Sequence, residues 1–82
     1  MSNCKIDEDE KILESTIQKK LETELGYGHA KCVAGIVDIL TPTTIIEIKN
    51  WNCWKHALGQ LLAYYVHFPD KTMRAHFFRR NS

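Results

Sequence analysis

Apolar and polar positions alternate in two different rhythms along this chain. From about Glu8 to Leu25, the residues Ile12, Leu13, Ile17, Leu21 and Leu25 recur at helical spacing and form one apolar stripe. Acids gather at the start of that segment, where the helix dipole favours them, and Gly26 and Gly28 end it. His29 to Ala34 reads as a short strand. Gly35 to Thr41 is a second strand, Thr41-Pro42-Thr43 a turn, and Thr44 to Lys49 a third strand rich in β-branched residues. The connection between the last two is too short for a parallel crossover, so they are expected to form a hairpin. Asn52 is a candidate cap for a helix over Cys53 to His67, in which Trp54, Ala57, Leu58, Leu61, Leu62 and Tyr65 follow helical spacing. Pro69 stops it. Thr72 to Phe78 closes the pattern as a strand, with Met73, Ala75 and Phe77 alternating against Arg74 and His76. The predicted order is α-β-β-β-α-β, with no internal repeat, linker or low-complexity tract.

The hairpin breaks its own pattern. Asp38 interrupts Ile36, Val37, Ile39 and Leu40, and Glu47 and Lys49 interrupt Ile45, Ile46 and Ile48. Residues two apart on a strand share a face, so Glu47 and Lys49 project together while Ile46 and Ile48 point the other way. A turn at residues 41–43 brings Asp38 toward Glu47 across the ladder. Two carboxylates at close range repel, and one ordinarily keeps its proton. A hard divalent cation relieves the repulsion, and Mg2+ usually takes one or two carboxylates and keeps several waters. An amine beside such a cation can orient or deprotonate an attacking water, or stabilise charge growing on phosphorus. The plain alternative is a turn-proximal acid and a solvated Glu47–Lys49 ion pair on an open sheet face. The apolar runs around all three residues argue for the site.

Composition adds boundaries. A chain of 82 residues forms one domain, 1–82. At this size only about 60% of the unfolded surface is buried, which makes each charge in the sheet costly and dimerisation a common remedy. The formal net charge of +1 gives no bulk argument for nucleic acid or membrane. A local basic edge runs through Lys71, Arg74, Arg79 and Arg80. The longest apolar run, Ala57 to Phe68, is too short to span a bilayer, and the polar, acidic beginning of the chain does not read as a secretory signal. Cys4, Cys32 and Cys53 show no regular frame, which suggests reduced thiols in an intracellular compartment.

With "GIVDIL", nine positions from Asp38 to Glu47, and then "EIK", the chain resembles the PD-(D/E)XK nuclease superfamily. The predicted order of elements resembles that superfamily's common core as well. Val37 stands where the superfamily's name has proline. The resemblance implies a restriction-endonuclease-like α/β fold with a central mixed sheet flanked by helices, and Mg2+-dependent cleavage of DNA, with Mn2+ as a substitute and no small-molecule cofactor. It also implies that Asp38, Glu47 and the Ile48 carbonyl hold the metal and that Lys49 is the catalytic lysine. "ESTIQKKLETELG" looks like the first helix of the virus-type replication-repair nuclease (VRR-NUC) branch, whose motif pairs a Glu with an apolar-Gln step soon after; that adds Glu14 as a metal or water contact, with Glu22 and Glu24 as competitors. "ALGQLLAYY" resembles the helix after the lysine and points to Gln60 at the site, with Tyr64 one turn on. Within that branch, small stand-alone members look like structure-selective nucleases that work as homodimers on branched DNA. A four-way (Holliday) junction is therefore the first expected substrate. A viral origin, suggested by this likeness alone, would put the protein in the cytoplasm or nucleus of a host cell. The rival reading is a non-catalytic DNA-binding or assembly module that retains the fold.

Other constellations weigh less. His29, Cys32, Cys53 and His56 have the donor types for zinc, but the strand spacing turns His29 and Cys32 to opposite faces. Trp51 and Trp54 suit core or dimer contacts better than base stacking. Lys55, Lys71, Arg74, Arg79 and Arg80 are candidate phosphate contacts.

Overall fold

The computed structural model of the chain describes residues 7–32 and 35–79. Helix α1 runs Glu8–Leu25, over the expected range. Asp7 caps it by accepting the Glu10 N–H at 2.9 Å, and Gly26 closes it in the left-handed conformation that glycine adopts without strain. Then follow β1 (Ala30–Cys32), β2 (Gly35–Val37), β3 (Ile39–Leu40) and β4 (Thr44–Asn50). A 3-10 turn at Trp51–Cys53 leads into α2 (Trp54–His67), and β5 (Thr72–Phe78) ends the fold. Arg80, Cys4 and the Ala34 end of the first expected strand lie outside the described residues.

Three expectations change. The strand expected over Gly35 to Thr41 is broken at Asp38 into β2 and β3. The sheet divides with it: β1 and β2 form a two-stranded antiparallel piece, and β3-β4-β5 form a three-stranded mixed sheet. In the latter, Ile39 pairs with Ile46 across the antiparallel hairpin, and Glu47 pairs with Ala75 in the parallel β4–β5 ladder. Asn50, not Asn52, makes the side-chain capping bond, and it caps the 3-10 turn rather than α2, whose N-cap position is Cys53. The Asn50 side-chain oxygen accepts the Asn52 N–H at 2.8 Å, because the chain first makes a 3-10 turn. Cys32 is a free thiol, as the sequence reading expected of it.

Helices cover both faces of β4. On one side Ile39, Ile46, Ile48 and Phe78 pack beneath Leu13, Ile17 and Leu21 of α1. On the other, Val37, Ile45, Leu61 and Tyr64 pack with Met73 and Ala75. The two predicted helical stripes are narrower than the sequence pattern implied. Ile12 is 61% exposed, and on α2 the buried row is Ala57, Leu61 and Tyr64, leaving Leu58, Leu62 and Tyr65 in solvent. Each helix lies on the outside of a thin sheet, so only a line of side chains one turn apart reaches the core. The tip of the hairpin is tied to the start of β5. Lys71 Nζ donates to the Thr41 and Pro42 carbonyls at 3.0 and 2.8 Å, and the Thr72 N–H donates to the Thr43 carbonyl at 2.8 Å.

Candidate active site

Strand alternation puts Glu47 on the α2 side of β4, between Ile45 and Lys49. There it is only 2% exposed, and its Oε1 is buried without a hydrogen-bond partner. Burial raises its pKa most, the Asp38 charge adds to the rise, and Lys49 partly offsets both, so that the carboxyl is pushed up to about 8. A buried acceptor left empty is costly. A proton on the group or a cation beside it would remove that cost.

Asp38 stands at the break between β2 and β3, opposite Glu47 in the extended register. Its Oδ2 accepts the Ile48 N–H at 2.8 Å. Its backbone carbonyl, released from the ladder, accepts from Gln18 Nε2 on α1 at 2.6 Å. Ile48 is fully buried and contributes its side chain to the core beneath α1. Its N–H thereby ties the Glu47–Lys49 segment to Asp38.

Helix α1 is fixed along the end of β4 by Asn50, whose amide donates to Glu10 Oε2 at 2.5 Å. One turn further on, Glu14 is half-buried. Burial raises its pKa, Lys49 lowers it and Asp38 raises it again, so Glu14 lies within electrostatic range of both. The competing acids go elsewhere. Glu22 accepts from Gln18 Nε2 at 3.0 Å, and Glu24 lines a groove with Ile17, Lys20, Leu21 and His76. Glu14, Asp38, Glu47 and Lys49 therefore form one electrostatic cluster drawn from α1, the β2–β3 break and β4. An open groove of about 380 Å3 runs beside it, lined by Lys11, Glu14, Ser15 and Gln18.

On α2, the half-buried Gln60 has a buried Oε1 without a partner. Tyr64, one turn on, is 2% exposed and donates its hydroxyl to the Ile36 carbonyl at 2.9 Å. Burial raises its pKa to about 12, helped by Glu47, Asp38 and Cys32. Tyr64 is thus a wall of the acid pocket whose polar tip is already used, rather than a groove residue.

The donor set suits one kind of cation. Among the described residues no three His, Cys, Asp or Glu side chains form a metal-holding group, so neither a zinc site nor an all-protein cage is built. Asp38 and Glu47 would offer two hard oxygen donors, and one buried oxygen of Glu47 has no hydrogen-bond partner. That set fits Mg2+, which keeps much of its water, better than a cation that demands a full protein shell.

The apolar-Gln step that follows Glu14, Ile17-Gln18, was part of the resemblance of the first helix, but no role for Gln18 could be read from the sequence; the structure sets its amide against the Asp38 carbonyl and Glu22. Among the basic candidates, Lys71 is committed to the hairpin tip, and Arg74 is exposed beside a second groove with Tyr27, Thr43 and Ile46. Trp51 packs edge-on against Phe77 at 5.2 Å, and Lys55 Nζ lies 5.6 Å from the centre of the Trp54 ring.

No family model matches the chain, and no solved structure matches it. Three proteins of Acanthamoeba polyphaga mimivirus are similar in sequence, each named as a KilA-N domain-containing protein. L33 is 44% identical over 59 residues, covering 71% of this chain and 24% of that protein. R878 is 36% identical over 73 residues, 89% of this chain and 20% of its own length. L32 is 42% identical over 66 residues, 79% of this chain and 18% of its own. The chain therefore has viral relatives and spans less than a quarter of each of them.

Proposed function

We propose that this chain is a metal-dependent deoxyribonuclease domain with a restriction-endonuclease-like core, acting on branched DNA as a homodimer. The observation that carries this reading is the buried Glu47 carboxyl, with one empty oxygen, facing Asp38 within range of Lys49 and Glu14. A binding-only protein gains nothing from that arrangement, which costs stability at every step.

Asp38 and Glu47 would hold a Mg2+ ion, with Mn2+ as a substitute, the Ile48 carbonyl as a further ligand and Glu14 contacting it through water, since no three acids among the described residues gather round one ion. When bound, the ion supplies positive charge to a phosphate oxygen and makes water more acidic. Lys49 positions the attacking water or neutralises charge developing on the phosphate. Its pull on both Glu14 and Glu47 marks its reach across the cluster. The Asp38–Ile48 hydrogen bond keeps the two acids at a fixed separation. Gln60 offers an acceptor oxygen from α2 to a water or to Lys49.

The relatives lend support to DNA as the partner, since KilA-N is a DNA-binding domain. They also favour a second reading, a DNA-binding module without catalysis. The short aligned share leaves more than three-quarters of each relative beyond the matched segment, room for a KilA-N domain apart from it. The homodimer is supported by the apolar residues that α2 leaves in solvent, Leu58, Leu62, Tyr65 and Val66 at 50, 58, 50 and 75% exposure. Such a two-fold pair would offer two sites to two strands. No helix among the described residues is long and apolar enough to cross a membrane.

The test is cleavage of labelled four-way junction, duplex and single-stranded DNA with Mg2+, Mn2+ or EDTA. The nuclease reading expects junction cutting that vanishes in EDTA and in Lys49→Ala. Retained binding with no cuts under either metal would replace it with the module.

A further inference from the structure

We infer that Gln18 is a positioning residue, which holds Asp38 outside the sheet ladder so that its carboxylate faces the metal position. The inference rests on the nuclease reading for the metal and on geometry alone for the hold.

Asp38 sits where β2 ends and β3 has not begun, so its carbonyl has no strand partner there. A half-buried backbone carbonyl needs a donor, or the chain relaxes until it finds one. Gln18 Nε2 supplies that donor at 2.6 Å, across twenty residues of sequence. The second hydrogen of the same amide goes to Glu22 Oε2 at 3.0 Å. Both hydrogens are thus spent, and the reverse orientation would set the amide oxygen against a carbonyl and a carboxylate. The amide has one acceptable pose, and Glu22 fixes it. With its main chain pinned from α1, Asp38 reaches back to the Ile48 N–H and holds its carboxylate against Glu47, whose Oε1 is the buried oxygen left without a partner. Gln18 touches no reacting atom in this scheme. It acts through Asp38, as outer hydrogen-bond partners of metal ligands commonly do.

The experiment compares wild type with Gln18→Ala and Gln18→Met, the second keeping the side chain's bulk without its donor. Mn2+ binding by the free protein is measured by calorimetry, and backbone amide exchange is measured by NMR. The inference expects Mn2+ affinity to fall about 10- to 100-fold in both variants. It also expects exchange at the Ile48 amide, which reports Asp38 directly, to quicken about tenfold, the scale of one lost hydrogen bond. Unchanged affinity and unchanged Ile48 protection in Gln18→Met would overturn it. So would exchange that quickens evenly across residues 45–50, since that describes general loosening. If wild type binds no Mn2+ and cuts no DNA while Ile48 alone loses protection, the metal reading fails and the hold on Asp38 stands.

Discussion

Ile48 and Glu47 are neighbours on β4, both sealed from solvent, and they face opposite ways. Beneath α1, Ile48 meets Ile39, Ile46 and Phe78, and every surface is apolar. On the α2 side, Glu47 meets an acid, an amine and a tyrosine, and one of its oxygens meets nothing. One strand thus carries the stability of the domain on one face and spends part of it on the other. The α1 side needs only complementary shape. The α2 side holds a buried titratable carboxyl, and its stability therefore depends on pH where its counterpart's does not.

This contrast is open to attack. The largest effect is expected from Lys49→Ala and Glu47→Gln, which should each cut junction cleavage by about 100- to 1,000-fold. The melting temperature of Glu47→Gln should stay at or above that of wild type, because it removes a buried ionisable group, whereas Lys49→Ala should melt lower, because it takes the neighbouring cation from that group. Next, Ile48→Ala should lower stability by about 2–5 kcal/mol in denaturant titrations, through a cavity in the apolar side.

A pH series separates the faces without mutation. The Glu47 carboxyl moves from an ordinary 4.5 to about 8 in the folded chain. Between those values the folded state keeps a proton that the unfolded state has released. Stability should therefore decline as pH rises from about 4.5 to about 8 and level off above. Glu14, raised in the same direction, adds to the slope. Glu47→Gln should flatten most of it in urea midpoints taken at pH 5, 7 and 9. The smallest effect belongs to Lys71→Ala, which loses its bonds to Thr41 and Pro42 and should cost about 1 kcal/mol.

The helices, the hairpin turn and the final strand were legible because each has a periodic stripe bounded by a breaker. Asp38, Glu47 and Lys49 were legible because charges stand out in runs of isoleucine. The break at Asp38 was not, since a carboxylate within an apolar run looks the same whether the ladder continues or stops. The Ile17-Gln18 step stood out in the first helix, but its purpose did not, because its partner is a backbone carbonyl, which carries no side-chain signature. Tyr65 was misjudged as part of the apolar stripe, because neighbouring positions on a helix both fit a broad stripe; Tyr64 is the one that is buried, and Tyr65 is half-exposed. The choice among Glu14, Glu22 and Glu24 needed the Asn50–Glu10 anchor, a contact across forty residues.

The clamp between the hairpin tip and β5 has a consequence for fidelity. Residues Thr43 and Thr72 are locked together where both ladders begin, so a single fastening sets the counting of the antiparallel and the parallel pair at once. A slip of β4 by one place would exchange odd and even positions. Glutamate would then be driven into the grease under the first helix and isoleucine turned out among the acids. The Thr43–Thr72 bond, with Lys71 beside it, thus guards against an error that only this strand, with two such unlike sides, could make fatal.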